Sequence, residues 1–291
     1  MTAVLSPTSA PTPSARAAAG LAEPLPPRAG SFARYVRETS LLVGRSLRTI
    51  TRVPERLSDV TIQPIIFTLL FTYVFGSAIH IPGMRYQDYL LPGLIGQSLG
   101  FGIIGAGVAT ANDFSTGVVD RFRSLPIHPM SVISAQVVGQ IIEQVLGMVI
   151  VISLGLALGW RPDIGLAGAF ELAGLVLLGL FAFTWFGVLL GMLIRSPDAM
   201  QGIGFAIVFP LSFLAGTFVP ISGMQAIPRA IGEWDPLAAF VAGIRQVCTG
   251  VGSHGSWPLE HPIPAMVAWC VAIIAVCAPL AVRRFRSLSN R

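Results

Sequence analysis

The sequence predicts an all-α polytopic membrane protein with six transmembrane helices, and three observations carry that reading. The composition is 53% hydrophobic and only 11% charged, with a mean hydropathy of +0.73, where a soluble domain carries about 25% charged residues. Six apolar stretches run over 60–79, 89–110, 130–158, 167–194, 199–219 and 263–282, each near the roughly 20 residues that cross a bilayer as a helix. The loops between them divide the arginines unequally. With the amino terminus inside, Arg85, Arg161, Arg229 and Arg245 fall outside and all other arginines inside. The positive-inside rule therefore places both termini in the cytoplasm of a bacterial cell membrane.

Residues 1–30 are rich in Ala, Pro, Ser and Thr without an apolar core, and are expected to be a disordered cytoplasmic tail rather than a signal or a span. The rest, 31–291, forms one transmembrane domain. Just before the first span the arginines are phased. With Arg34 at zero, Arg37, Arg45, Arg48 and Arg52 fall at about 300°, 20°, 320° and 0°. Tyr35, Val36, Leu42, Val43, Leu47 and Ile50 fall at about 80° to 220°. A basic stripe opposite an apolar one describes an amphipathic helix lying in the interface against anionic lipid headgroups. An ordinary positive leader is the plainer alternative.

The second stretch is rich in glycine and holds a Gly96-x-x-x-Gly100 pair that permits close helix approach. Pro64 and Pro210 predict kinks in the first and fifth spans. Ser196-Pro197-Asp198 reads as an N-cap, a first-turn proline and a first-turn acid opening the fifth. In the third, Glu143 is the one acid deep in a span, where a charge costs about 2.5 to 3.5 kcal/mol. With Gln136 at zero, Gln140, Glu143 and Gly147 lie at about 40°, 340° and 20°. This polar stripe faces protein or water. It either lines a substrate path or is hydrogen-bonded packing between helices.

Between the fifth and sixth stretches, two apolar pieces around 223–234 and 237–245 are too short to cross. They are expected as short re-entrant or surface helices at the outer interface, with Trp234 and Trp257 in the aromatic belt. Cys248, Cys270 and Cys277 have no metal-type spacing and read as packing residues. None of the histidines, His80, His128, His254 and His261, has the spacing of a helix-borne zinc site.

All 19 basic residues are arginine. Without lysine the chain carries no P-loop and no Schiff-base chemistry. It is therefore not an ATPase, and any ATP energy must come from another subunit. The inner segment from Asn112 to Pro129 is the charged island between two apolar stretches. On a helix, Val118, Phe122 and Leu125 fall on one side and Asp120, Arg121 and Arg123 around the rest, offering an apolar face for a partner.

On these residues the chain resembles the membrane subunit of type-2 ABC exporters, the family of the daunorubicin-resistance permeases. The carriers are the interfacial helix, the inner loop Ser115 to Ile127, and the outer segment Gly216-Thr217-Phe218-Val219-Pro220 with Met224, Pro228, Pro236 and Arg245. The loop is similar to the family's coupling helix, with Gly117-Val118-Val119-Asp120-Arg121-Phe122 standing for a Gly-Thr-Leu-Glu-Arg-Leu pattern.

The resemblance implies a permease homodimer engaging two separate ATPase subunits. ATP and Mg would sit on the partner, with no cofactor bound by this chain and no nucleic acid involved. Gly117, Val118, Asp120, Arg121, Phe122, Arg123 and Leu125 would couple it to the ATPase, and Gln136, Gln140 and Glu143 would line the path of an exported hydrophobic or amphipathic drug or lipid-like compound. Two other functions stand beside this one. One is a proton-coupled secondary transporter using Glu143, and the other an ABC permease exporting lipid or glycan.

Overall fold

The computed structural model describes residues 35–44, 54–76, 79, 81, 83–117, 129–162, 164–252 and 255–289, with the side chains of 54–60, 129–130 and 286–289 outside the description. Among the described residues the chain is helical, with one isolated bridge between Ile81 and Met84 and no strand. The expected tail, Arg34, Arg45, Arg48 and Arg52, and Val118, Asp120, Arg121, Phe122, Arg123 and Leu125 lie outside the described residues.

A short helix α1 spans 35–44. Helix α2, Pro54–Leu70, continues into a π-helical turn, Phe71–Phe75. Helices α3 (Tyr86–Ser115), α4 (Pro129–Ala157), α5 (Leu166–Ile194) and α6 (Pro197–Leu214) follow. After a single 3-10 turn at Ile221–Gly223 come α7 (Ala226–Glu233), α8 (Pro236–Thr249), the short α9 (Trp257–Glu260) and α10 (Pro262–Ser289).

Five of these, α3, α4, α5, α6 and α10, are long and apolar enough to cross a membrane. The first apolar stretch lies in the continuous helical run formed by α2 and its π-turn, within which Thr61–Phe75 is apolar. Helix α2 is continuous through Pro64 and passes into the wider π-turn at Phe71. Helix α6 likewise runs through Pro210. Its start is as the sequence indicates. Ser196 Oγ accepts from the Ala199 amide at 3.4 Å, with Pro197 in the first turn and Asp198 behind it.

Helix α3 is the centre of the bundle. Leu90, Ile95, Leu99 and Ala106 are fully buried, and α5, α6, α8 and α4 surround it. Glycine makes this crowding possible. A side chain at Gly187 or Gly191 of α5 would run into the Ile103 or Gly107 carbonyl of α3, and one at Gly96 into Val241 of α8. Small residues let helix backbones approach and gain van der Waals contact where no hydrophobic effect drives them together. The outward faces are apolar instead: Phe170 is 78% exposed and Leu166 82%, an arrangement suited to lipid and costly in water. Cys248, Cys270 and Cys277 are free and buried in the packed interior.

Helix α1 is tied to the start of α4, where Tyr35 Oη and Ser134 Oγ share a 2.6 Å hydrogen bond and Ser131 Oγ donates to Glu38. Arg37 is exposed on the same helix. Helix α1 therefore sits at the end of the bundle where α3 finishes.

Candidate functional site

A cleft of about 580 Å³ opens between α2, α3, α4 and α6, within the size range of small-molecule sites. Its polar lining is mostly amide: Gln63 from α2, Gln97 and Asn112 from α3, Gln140 and Gln144 from α4, Gln201 from α6. Glu143 is the one charged side chain among the described residues that line it. Phe67, Phe101 and Phe205 supply the aromatic wall.

The stripe on α4 is partly assembled here. Gln140, Glu143 and Gly147 line the cleft and Gln136 is not among the lining residues. Gln140 Nε2 donates to the Glu143 carboxylate at 3.4 Å, so a neutral amide shares the face with the acid. Gln144, absent from that stripe, reaches past Gly102 of α3, and its Nε2 donates to Thr184 Oγ1 of α5 at 3.1 Å. It falls at about 80° on the same wheel, the stripe's edge. Gln63 and Gln201 are each the one amide of their helix, and Gln97 and Asn112 stand fifteen residues apart in α3, so no short-range periodicity marks them; their signal is rarity, an amide within an apolar run.

Phenylalanines frame one flank of the cleft in a closed circuit. From α2 and its π-turn, Phe67 meets Phe71 at 5.8 Å, and Phe71 stacks on Phe218 at 3.9 Å. Phe218 leads to Phe213 at 4.7 Å, then Phe209 at 5.1 Å and Phe205 at 6.0 Å along α6. Phe101 of α3 closes the circuit, 5.3 Å from Phe205 and 6.2 Å from Phe67. Residues four apart lie on one helix face, so both helices present aromatic stripes, bridged at one end by Phe101 and at the other by Phe218.

The loop carrying Phe218 is pinned by a buried cation. Arg245 of α8 is 8% exposed, and its Cζ lies 3.6 Å from the Tyr89 ring centroid. Its Nη2 donates to the carbonyls of Gly216 at 3.0 Å and Tyr89 at 3.2 Å. Tyr89 Oη donates to the same Gly216 carbonyl at 2.7 Å. Among the described residues Arg245 makes no ion pair; carbonyl dipoles and the ring face hold the charge. Gly216, with φ +72, adopts a turn that favours glycine. Gly93 leaves room for the Thr217 backbone.

At the other end of the bundle, α3 stops at Ser115. Thr116 Oγ1 donates to the Asn112 carbonyl, and Gly117 takes φ +69. Gly117 is the described residue of the expected coupling set.

Apolar helices of spanning length around a cleft of amides, one acid and phenylalanines define a transport subunit of a membrane. The chain belongs to the ABC-2 type transporter family, whose model matches residues 37–248, and it is a type-2 ABC permease of the daunorubicin-resistance-like kind. It is 28% identical over 257 residues to the daunorubicin resistance ABC transporter permease protein DrrB1 of Streptomyces coeruleorubidus, covering 88% of both chains. It is 26% identical over 271 residues to the doxorubicin resistance ABC transporter permease protein DrrB of Mycobacterium tuberculosis, covering 84% of this chain and 89% of that one. With the inner membrane transport permease YadH of Escherichia coli it shares 24% over 237 residues, 79% of this chain and 89% of that one.

Proposed function

We propose that the chain is the membrane subunit of an ATP-driven exporter and forms the path of a hydrophobic or amphipathic drug-like compound. The cleft carries the proposal. Its phenylalanines suit a flat apolar body, its amides suit scattered polar groups, and Glu143 suits a ligand of neutral or positive charge. The drug named for the Streptomyces relative, daunorubicin, is the natural first probe.

On this reading two copies of the chain form the transmembrane unit, and each engages a separate ATPase subunit that binds ATP and Mg. Six spans are completed by α2, with both termini in the cytoplasm. Helix α8 then runs re-entrant from the outer face, and α1 lies at the cytoplasmic interface with Arg37 toward lipid. The segment after Gly117 meets the ATPase through Val118, Phe122 and Leu125, with Asp120, Arg121 and Arg123 setting orientation. Three features support that placement. Helix α3 ends in a left-handed glycine immediately before the segment, α4 starts immediately after it, and both helices line the cleft. A push on the segment therefore acts on two cleft walls, the differential contact between states that coupling needs.

Co-expression with a partner ABC ATPase subunit in a drug-sensitive bacterium tests the proposal. Cells carrying both should accumulate less daunorubicin than cells carrying either alone. Equal accumulation in all three would overturn it.

A further inference from the structure

We infer that Gln144 is a positioning residue for transport, a reversible latch that holds α4 against the pair formed by α3 and α5. Its amide must leave a notch at Gly102 before α4 can move under force from the ATPase. The inference deepens the export reading, on which it rests for the force but not for the latch.

The two sides of the latch differ in character. Helices α3 and α5 pack more extensively than any other pair among the described elements, with Gly187 and Gly191 of α5 set against α3 carbonyls. Helix α4 adds to them a face of buried residues at helical spacing, Ile133, Val137, Met148 and Val151. Gln144 is the amide within that face, seven residues after Val137 and four before Met148. Its side chain fills the space that a β-carbon at Gly102 would need. Beyond the notch its Nε2 donates at 3.1 Å to the hydroxyl of Thr184, which is fully buried. The apolar contacts along the rest of the face are non-directional, whereas this hydrogen bond fixes one register of α4 on α5.

The bond biases α4 without holding it permanently. Gln144 Oε1 is buried without a partner, so the latch satisfies one end of the amide and leaves the other unpaired, a cost that offsets part of the gain. An interhelical hydrogen bond in a membrane shifts an equilibrium by about threefold on average. Gln144 also borders the cleft, as do Gln140 and Glu143, so withdrawal exchanges the notch for polar surroundings. Helix α4 starts directly after the segment proposed to meet the ATPase and is continuous from Pro129 to Ala157. Force arriving at its start therefore reaches Gln144 along one helix.

The test uses the full chain assembled with its ATPase in lipid nanodiscs and carrying Val137→Cys, a position 1% exposed in the cluster with Trp185 and Val188 of α5. The three native cysteines are buried and set the background. A small water-soluble methanethiosulfonate should modify the introduced thiol slowly without nucleotide and faster after trapping with ATP and vanadate. Thr184→Val, nearly isosteric but without the hydroxyl, should raise the nucleotide-free rate about threefold. Gly102→Ala should do the same, because its methyl group displaces only the end of a flexible side chain. Thr184→Ser keeps the hydroxyl and should keep the slow rate. An unchanged rate in Thr184→Val would overturn the latch, and so would a Thr184→Ser rate equal to that of Thr184→Val. A lowered melting temperature with an unchanged rate would assign the contact to packing and overturn the latch as well. The export reading fails separately: if Thr184→Val raises the rate while ATP and vanadate change nothing, the latch stands and the ATP-driven movement of α4 does not.

Discussion

The Gly216 carbonyl accepts two hydrogen bonds, from Tyr89 Oη at 2.7 Å and Arg245 Nη2 at 3.0 Å, and this makes the energetics of the clasp non-additive in a calculable way. In Tyr89→Phe the carbonyl keeps its arginine donor and the ring keeps its place under the cation. The loss is one neutral hydrogen bond, about 1 kcal/mol. In Arg245→Met the carbonyl keeps the tyrosine donor, and the Tyr89 carbonyl keeps the helical bond that any mid-helix residue accepts. Lost are the charge-assisted bonds and the cation–π contact, offset in part because no cation is buried any longer; the net is about 2 to 3 kcal/mol.

The double variant differs from the sum. Only there is the Gly216 carbonyl left buried without a donor, an additional penalty of about 1 to 2 kcal/mol. Thermal unfolding of all four proteins in one detergent, converted to free energies relative to the unmutated chain, measures the coupling. Limited proteolysis after Gly216 should show the same order. An additive cycle within about 0.5 kcal/mol would refute the idea of a shared acceptor.

Other outcomes follow from the packing and the proposed route. Gly179→Ala would drive a methyl group into the fully buried Phe240 ring and should lower stability by about 1 to 3 kcal/mol on the same unfolding assay; unchanged stability would show that α5 and α8 are free to separate. Phe122→Ala should weaken co-purification of the ATPase and lower export while membrane insertion persists, and normal recovery of the ATPase would remove Phe122 from the contact. Glu143→Gln should slow export of a cationic aromatic compound more than of its neutral counterpart, with expression unchanged. Equal rates for both compounds would return Glu143 to a packing role.

Much of the fold is legible in the sequence because spanning a bilayer imposes a length and a composition on each helix. The runs at 89–110 and 167–194 fall within α3 and α5 for that reason. The start of α6 is legible because capping is local, needing only Ser196, Pro197 and Asp198. The first apolar stretch is harder to read: its apolar run continues to Ile79, whereas the assigned π-turn covers Phe71–Phe75.

The site is legible only in part. Glu143 and Gln140 stand out as polar neighbours on one helix, but Gln63, Gln97 and Gln201 converge from three helices, and tertiary packing alone brings them together. Arg245 reads in sequence as an outer-side charge. Its burial depends on Tyr89 and Gly216, which lie 156 and 29 residues away, and on α8 packing among α3, α5 and α10.

Everything proposed for this chain turns on its carrying substrate through the cleft while a partner subunit hydrolyses ATP. Gly105 borders the cleft and has only the Gln140 amide oxygen near its missing side chain, at 3.8 Å. A Cβ at Gly105 meets no helix closely, so Gly105→Phe would direct a ring into the cleft. The decisive measurement is ATP-dependent uptake of a fluorescent aromatic amine into inside-out vesicles holding the chain and its ATPase, with and without that substitution. Uptake should require both subunits and ATP, and should fall at least about tenfold in Gly105→Phe with the ATPase still bound. Full uptake by the filled variant, or uptake driven by a pH gradient in vesicles lacking the ATPase, would contradict the proposed route.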